Sequence, residues 1–419
     1  MSRLTDLLEA RNRHISNAMS LAHGSPLHIV RGEMQYLYSS DGTRYLDLVN
    51  NVSHVGHCNP RVVQAGQKQM AILNTNSRYV YSGLADYLAR LSDTLPAELS
   101  MGFLVNSGSE ANELAVRLAR SYTGNHDMAV IEGAYHGHTG MLIQLSPYKF
   151  RGPGGKGHPE PWVHVLPIPD AYRRRESNFT DELRLGIKEA GPLAGLLIET
   201  MLSCAGQIPL PEGYLEEAAT SVREAGGLLI ADEVQVGFGR VGSHMWAFQE
   251  SEVVPDIVVM GKPIGNGHPM AAVFTTKEIA SSFGGMEFFS TFGGNPVSCA
   301  IGMAVMDVVE NEGLLTSAKK LGIRLMKGLS SLMEAHDLIG DVRGRGLFIG
   351  LELVTDRTTL EPASREASTI VDSMRDTGIL LSTDGPLHNV IKIKPPMVLN
   401  KEDVDETLSK LDWVLSQQK

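Results

Sequence analysis

The hydrophobic residues of this chain form several short runs in which apolar positions do not alternate with polar ones. Such runs are typical of strands in a parallel sheet that helices cover on both faces. Between about residues 60 and 300 the runs alternate with stretches of helical periodicity, which indicates successive βαβ units. The predicted fold class is α/β, with a mostly parallel, doubly wound sheet. Its expected strands are 101–105, 128–132, 193–198, 227–231, 256–260 and 270–275.

The N-terminal part of the chain has a different pattern. Residues 1–30 are typical of an amphipathic helix followed by a short connection at 24–26. Asp-Gly at 41–42 lies between two β-prone segments, 36–38 and 45–49, and a tight Asp-Gly turn predicts a β-hairpin there.

Helical patterns predominate beyond about residue 305, with strands expected near 347–351 and 390–393. A smaller α+β domain therefore follows the large one. The predicted parts are an N-terminal segment at 1–55 that packs with the small domain, a large domain at 56–305 and a small domain at 306–419.

Three of the predicted strands lead into side chains that carry chemistry. Glu199 and Asp232 each end one apolar run, and Lys262 follows a third after a single glycine. In an open α/β sheet, reactive groups collect in the crevice beyond the carboxyl ends of the strands. We therefore expect two carboxylates and one amine at the same crevice. An amine suits a Schiff base and an acid suits a pyridinium nitrogen, so this set predicts a pyridoxal phosphate (PLP) site.

A candidate anion site follows the first predicted strand. Ser107 and Glu110 have the spacing of a capping box, and a strongly helical segment, 112–120, comes next. Gly108 permits a ligand to approach the backbone closely, and the N–H groups at a helix N-terminus bind phosphate. Taken alone, such residues more often form only a helix cap. Their place beside the predicted PLP crevice favours phosphate binding.

Two other patterns are interpreted as coincidental. Residues 237–242 match G-x-G-x-x-G, but no clear strand-ending acid follows at about 20 residues, as a dinucleotide site requires. The histidine pairs His54/His57 and His136/His138 are potential metal ligands, yet neither has a third ligand at a suitable spacing. Loop or supporting roles are expected for them, and we predict no metal site.

Composition narrows the class of partner. The 419 residues include 37 Lys+Arg and 48 Asp+Glu, for a net charge of −11, which argues against nucleic acid or an anionic membrane as the main partner. No apolar run approaches the roughly 18 residues of a membrane span, and the charged N-terminus does not resemble a signal peptide. The cysteines, Cys58, Cys204 and Cys299, are scattered and odd in number. We expect a cytoplasmic protein without disulfides.

Several motifs together resemble class III aminotransferases, a family of PLP enzymes of fold type I. The resemblance covers nearly the whole chain, and the motifs occur in the family's order, which makes the set far more specific than any one of them. They are Asn-Ser-Gly-Ser-Glu-Ala at 106–111, Gly-Ala-Tyr-His-Gly at 133–137, Ala-Asp-Glu-Val-Gln at 231–235, Gly-Lys at 261–262 and Ser-Thr-Phe-Gly-Gly-Asn-Pro at 290–296.

The resemblance implies roles for individual residues. Lys262 would hold PLP as a Schiff base and then act as the general base, and Asp232 would pair with the pyridine nitrogen. Thr291 would reach the site from a second subunit, which implies a homodimer with shared sites. The remaining implied contacts are Gln235 at the ring hydroxyl, Val234 and Tyr135 on the two ring faces, Gly108 and Ser109 at the phosphate, and Thr291 from the partner subunit.

The chain departs from the amino-acid aminotransferases of this family at positions that recognise carboxylates. His138 stands where such members often carry arginine, and Cys204 stands where some have a gating glutamate. Lys392 replaces the carboxylate-binding arginine. A lysine lacks the bidentate fork of arginine but serves a phosphate well.

Further sequence segments resemble the phospho-lyase branch of the family, notably residues 50–60, 260–269 and 392–396. That branch acts on phosphoethanolamine or 5-phosphohydroxylysine, and the first is the expected substrate because it has no carboxylate. The alternatives are an ω-aminotransferase on simple amines and a non-catalytic PLP-fold protein. Candidates for holding the substrate phosphate are Asn51, His54, Arg78, His138 and Lys392.

Overall fold

The computed structural model describes residues 3–285 and 287–418. Its centre is a seven-stranded sheet in the order β4-β12-β11-β10-β7-β5-β6. All neighbouring pairs are parallel except the two that involve β12. The strands are β4 Met101–Val105, β5 Met128–Ile131, β6 Val163–Leu166, β7 Gly195–Glu199, β10 Leu228–Asp232, β11 Ile257–Met260 and β12 Ala271–Thr275.

Helices cover both faces of this sheet, which explains why its strands are apolar throughout. All residues of β5, β7, β10, β11 and β12 are buried, and two separate apolar clusters lie against them. Two 3₁₀ helices occur at Ala247–Glu250 and Lys262–Gly265. The α-helices are α1 Arg3–His14, α2 Pro60–Met70, α3 Ser82–Ser92, α4 Gly108–Thr123, α5 Pro147–Phe150, α6 Phe179–Ala190, α7 Tyr214–Glu224, α8 Lys277–Ser282, α9 Pro296–Asn311, α10 Leu314–Ala335, α11 Ser364–Asp376 and α12 Lys401–Ser416.

The remaining strands form smaller sheets. One has the order β1-β2-β3-β16, so the N-terminal hairpin pairs with a strand from the C-terminal part. Another has the order β13-β14-β18-β17, with β15 beside β14, and β8 pairs with β9. These strands are β1 Ile29–Glu33, β2 Tyr36–Ser39, β3 Arg44–Asp47, β8 Met201–Leu202, β9 Ile208–Pro209, β13 Ile339–Arg345, β14 Phe348–Asp356, β15 Glu361–Pro362, β16 Ile379–Leu380, β17 Ser382–Asp384 and β18 Val390–Ile393.

The α/β fold class, the six central strands and the hairpin are confirmed. The helix predicted over 1–30 is too long, because α1 ends at His14 and 15–28 is irregular. Strand β6 was not predicted, since it is short and its His164 interrupts the apolar run. The domain boundaries remain a prediction. Within the described residues, no helix is long and apolar enough to cross a membrane.

Candidate active site

Three neighbouring strands of the central sheet end at one cavity of about 370 Å³. Glu199 ends β7 and Asp232 ends β10, and these two residues are paired in register across the parallel strands. Lys262 lies just beyond β11, the next strand. All three side chains line the cavity. The structure thus brings together the two acids and the amine that the sequence pattern predicts at one crevice.

The backbone of Lys262 is held in an unusual conformation. Its φ of +28° falls in the left-handed region, which non-glycine residues rarely adopt and which persists only where the surroundings impose it. Lys262 begins a 3₁₀ helix directly after the buried strand β11. The strand end and this turn fix the position from which the lysine amine reaches the cavity.

Asp232 accepts hydrogen bonds on several sides. Its Oδ2 accepts from Asn112 Nδ2 and from His136 Nδ1, each at 2.8 Å. Its Oδ1 accepts from the backbone N–H of Val234 at 3.0 Å. Asp232 is only 4 % exposed, so these donors compensate a buried carboxylate and orient it towards the cavity. A carboxylate held in this way suits a protonated ring nitrogen.

Helix α4 begins beside this carboxylate. Ser107 caps the helix by accepting from the backbone N–H of Glu110 at 3.1 Å. The reciprocal bond of the expected capping box does not form, because Glu110 accepts from the backbone and side chain of Asn106 instead. The N–H groups of the first helical turn have no partner within the helix, which makes this end of the cavity suitable for an anion.

Gly108, at the start of α4, is required by the shape of the cavity. A Cβ atom added to it would lie 2.9 Å from Val234 Cγ1, closer than carbon atoms approach in proteins. Ser109 is the next residue, and its Oγ lies 3.1 Å from His138 Nδ1. Both residues line the cavity, so the predicted phosphate contacts lie at its anion-binding end.

An aromatic and an aliphatic side chain form the walls of the cavity. Tyr135 and Val234 both line it, as expected of residues on the two faces of a flat ring. Tyr135 is half-buried and packs edge to face with Tyr148 at 6.4 Å between ring centroids. Burial raises the pKa of the Tyr135 hydroxyl.

Gln235 links the cavity to a buried polar network. Its Oε1 accepts from Lys394 Nζ at 3.1 Å and from Asn51 Nδ2 at 3.2 Å. Its Nε2 donates to Ser203 Oγ, and Ser203 donates to Glu199 Oε1. Burial raises the pKa of Glu199 to about 7. Its Oε2 is buried without a hydrogen-bond partner among the described residues.

Two lysines share one buried carboxylate behind Gln235. Lys392 Nζ lies 3.3 Å and Lys394 Nζ 3.9 Å from Asp384 Oδ2. Asp384 also accepts from Gln207 Nε2 at 3.2 Å. Lys394 is 3 % exposed, and burial lowers its pKa to about 8. One carboxylate does not balance two ammonium groups, so the cluster contributes positive charge beside the cavity.

The predicted substrate residues differ in how close they lie to the cavity. His138 lines the cavity, and Asn51 lies one hydrogen bond away from it through Gln235. Lys392 does not line the cavity but is partly exposed beside Asp384. These three remain candidates for contact with a substrate.

The structure gives His54 and Arg78 other surroundings and does not bring either to the cavity. His54 is fully buried, and its ring contacts Phe238 O at 2.7 Å and Arg240 Nη2 at 3.1 Å. Both ring nitrogens are therefore engaged, which corrects its assignment as a substrate contact. Arg78 is an exposed residue that pairs with Glu287 at 2.8 Å. Within a single chain it cannot serve the predicted role.

Thr291 lies on the surface and does not line the cavity of its own chain. It is followed by Phe292, which is 70 % exposed. The predicted role of Thr291 requires a second subunit, so it remains a prediction.

Several residues of the site were not predicted as functional. Asn112 could have been found from its position on the helix that starts at the phosphate end. In the sequence His136 is part of a family motif and a potential metal ligand, and nothing there indicates its contact with Asp232. For Lys394 and Ser203 the sequence carries no local signal. Among the described residues, no group of three His, Cys, Asp or Glu side chains could hold a metal ion.

The residues of the cavity fit PLP in charge and shape. The amine of Lys262 suits its aldehyde and the carboxylate of Asp232 suits its pyridine nitrogen. The N-terminus of α4 suits its phosphate. Gly108 leaves the space that a flat ring against Val234 requires.

Comparison with known proteins agrees with this assignment. Residues 19–415 match the family Aminotransferase class-III. The chain is 48 % identical to an alanine–glyoxylate aminotransferase 2-like protein of Drosophila melanogaster, over 96 % of this chain and 85 % of the relative. It is 42 % identical to ethanolamine-phosphate phospho-lyase homolog 1 of Caenorhabditis elegans, over 98 % of this chain and 93 % of the relative.

Among solved structures, a phospholyase from Arthrobacter in complex with phosphoethanolamine superposes with a TM-score of 0.93. The two chains are 39 % identical, and the match covers 99 % of this chain and 100 % of the other.

The fold and the site therefore define a PLP enzyme of fold type I. The chain belongs to the class III aminotransferase family.

Proposed function

We propose that this protein is a PLP-dependent phospho-lyase that converts phosphoethanolamine and water to acetaldehyde, ammonia and phosphate. The observation that carries the proposal is the lack of a carboxylate anchor. No arginine is among the described residues that line the cavity, and the lysine in the place of the anchor, Lys392, faces Asp384. Phosphoethanolamine has no carboxylate, so it needs no such anchor. The names of the C. elegans relative and of the Arthrobacter structure support the same substrate.

Bound PLP supplies an electron sink that stabilises negative charge on the carbon bearing the substrate's amine. Asp232 would keep the ring nitrogen protonated, which would maintain that sink. Lys262 would hold the group covalently, and once free its amine would act as the general base for the proton on this carbon. Tyr135 and Val234 line the cavity and would hold the flat ring between them, which would orient the substrate's C–H bond for removal of the proton. The phosphate on the next carbon is a good leaving group.

Elimination and transamination diverge after this proton is removed. Transamination requires a later reaction with a keto acid, whose carboxylates need charged anchors. Elimination returns the enzyme to its starting form without an acceptor. The absence of anchors and the presence of a leaving group thus favour the same outcome. His138, Asn51 and Lys392 are the residues proposed to hold the substrate phosphate.

A second candidate is an ω-aminotransferase, because the D. melanogaster relative carries an aminotransferase name. A substrate panel separates the two, with phosphate and aldehyde measured in the presence and absence of pyruvate, glyoxylate or 2-oxoglutarate. We expect equal amounts of phosphate and acetaldehyde from phosphoethanolamine without a keto acid. An absolute requirement for a keto acid would refute the phospho-lyase assignment. 5-Phosphohydroxylysine belongs in the panel, since release from it alone would correct the substrate.

The variant Lys262→Ala tests the catalytic role of this lysine. The variant should lose turnover while still binding PLP through its phosphate and ring contacts. Surviving turnover would contradict the role of Lys262 without deciding the substrate.

A further inference from the structure

Gln235 belongs to a series of hydrogen bonds that all run from donor to acceptor in the same direction. Lys394 donates to Gln235, Gln235 donates to Ser203, and Ser203 donates to Glu199. An ammonium group has only donors, so the atom of Gln235 that faces Lys394 has to be the carbonyl oxygen. The opposite orientation of the amide would place donors against each other. The ammonium group of Lys394 sets the direction of the bond to Gln235, and the carboxylate of Glu199 favours the same direction at the other end while it is ionised, its pKa being raised by burial to about 7.

Lys394 is the member that decides the orientation of Gln235. Asn51 also donates to Gln235 Oε1, at 3.2 Å, but the amide of an asparagine can rotate to present either end. Ser203 can donate or accept equally well. Lys394 has no such freedom while it is charged, and its 3 % exposure leaves little water to replace its contact.

We propose that Lys394 is a positioning residue of the PLP site, which holds the Gln235 amide so that its Nε2–H group, and not its oxygen, is turned towards the ring hydroxyl of the cofactor. The inference rests on the proposed cofactor and on the contact of Gln235 with that hydroxyl. One N–H of Gln235 Nε2 donates to Ser203, and the other, whose contact in this structure is the thiol of Cys204 at 3.9 Å, is the one assigned to the hydroxyl. A donor at this position stabilises the ring oxygen as an anion, whereas a carbonyl oxygen would favour its protonated form. Lys394 would thus set the protonation state of the cofactor without touching it.

The charge of Lys394 depends on its surroundings. Asp384 at 3.9 Å raises its pKa, whereas Lys392 and Lys262 lower it, and the thiol of Cys204 also faces it. Burial has the largest effect and lowers the pKa to about 8. Below that pH the group is an ammonium ion and can only donate. Above it the neutral amine can also accept, so the constraint on Gln235 weakens as pH rises through about 8.

The test is a pH titration of the visible absorbance of the PLP-loaded protein without substrate. Lys394→Met should raise the titration midpoint by about one pH unit, which corresponds to one hydrogen bond to a charged oxygen. Lys394→Arg keeps a cationic donor and should titrate close to the wild type. Lys410→Met is the control, because Lys410 is a partly buried lysine away from the cavity with its own partners, Thr377 and Glu406. It should leave the midpoint unchanged.

A double variant separates positioning from a simple charge effect. In a Gln235→Leu background, Lys394→Met should cause no further shift, since the two residues act through one contact. Additive shifts, or a wild-type midpoint in Lys394→Met, would overturn the proposal. If Lys394→Met does not fold, as judged by its melting temperature, Lys394→Gln is used. Its amide can present either end, so an upward shift is again expected and its absence counts against the proposal.

This experiment is independent of the reaction. A protein that titrates as expected but releases no phosphate would refute the phospho-lyase and leave the role of Lys394 intact. A wild-type protein that gains no visible absorbance with PLP would overturn both.

Discussion

Replacing Gly108 by alanine tests the geometry at the junction of the phosphate and the ring. The added Cβ would lie 2.9 Å from Val234 Cγ1 and 3.2 Å from Cγ2. Carbon atoms pack at about 3.5–4.0 Å, so Val234 has to move by several tenths of an ångström. Val234 is only 7 % exposed and also lies against Gly261, so its movement is directed towards the cavity.

The expected size of the effect follows from the cost of overpacking. Extra carbon atoms in a packed site cost about 1–3 kcal/mol. If the strain appears in cofactor binding, the affinity for PLP falls about 5- to 150-fold, since about 1.4 kcal/mol is a factor of ten. Folding should be little affected, because alanine is a better helix former than glycine and Gly108 has no left-handed backbone angle.

The assay is an absorbance titration of the apoprotein with PLP, with the melting temperature of the apoprotein as the measure of folding. Gly140→Ala is the control, since a Cβ at Gly140 meets nothing within 4 Å. A Val234→Ala change in the Gly108→Ala background should recover part of the affinity by removing the two methyl groups. If Gly108→Ala binds PLP as tightly as the wild type, the ring does not lie against Val234 as we infer.

Three further predictions concern the shared site, pH and stability. If Thr291 serves the partner's cavity, mixing the inactive Lys262→Ala variant with a weakened Thr291→Ala variant should restore activity. Each heterodimer would then have one intact site, with Lys262 from one subunit and Thr291 from the other. No gain in activity on mixing, under conditions of subunit exchange, would argue against shared sites. Burial raises the pKa of Glu199 to about 7, so the folded state holds the proton of this carboxyl more tightly than the unfolded state does. The stability of the fold should therefore fall as the pH rises from about 4.5 to 7. Calorimetry should show a weaker fall for Glu199→Gln, and an unchanged dependence of stability on pH in this variant would contradict the shift. His54→Ala removes an acceptor from buried Arg240 and should cost about 2–4 kcal/mol in urea unfolding; a loss of activity without a loss of stability would revive its assignment to the substrate.

The part of the site that sequence predicted best consists of residues at the ends of regular elements. Asp232 ends a strand and Lys262 follows one, and the apolar runs of both strands are visible in the sequence; Gly108 begins a helix with a recognisable cap. The topology of an α/β sheet then places such positions at one edge. No knowledge of side-chain packing is needed for that step.

Residues that meet through side chains alone were not predictable in the same way. Asn112 reaches Asp232 across 120 positions of sequence, and Lys394 reaches Gln235 across 159. Lys392 lies in β18 and Lys394 directly follows its last residue, and nothing in the sequence distinguishes the lysine that is buried at the amide from the one that is partly exposed.

His54 shows the converse error. It lies in a segment that resembles the phospho-lyase branch, yet it is buried against Phe238 and Arg240, away from the cavity. A motif gives residue types and their order, but it does not give the direction in which a side chain points.

The sequence by itself determined the parallel sheet, the crevice at its carboxyl edge and the amine and acids that lie there, because periodicity and strand ends are local properties of the chain. Only the tertiary structure decided which polar side chains are buried together, and therefore how Gln235 is oriented and which lysine orients it. Burial is the physical reason: it makes each unpaired donor or acceptor costly, so the partners of a buried group are fixed by the packing of distant segments.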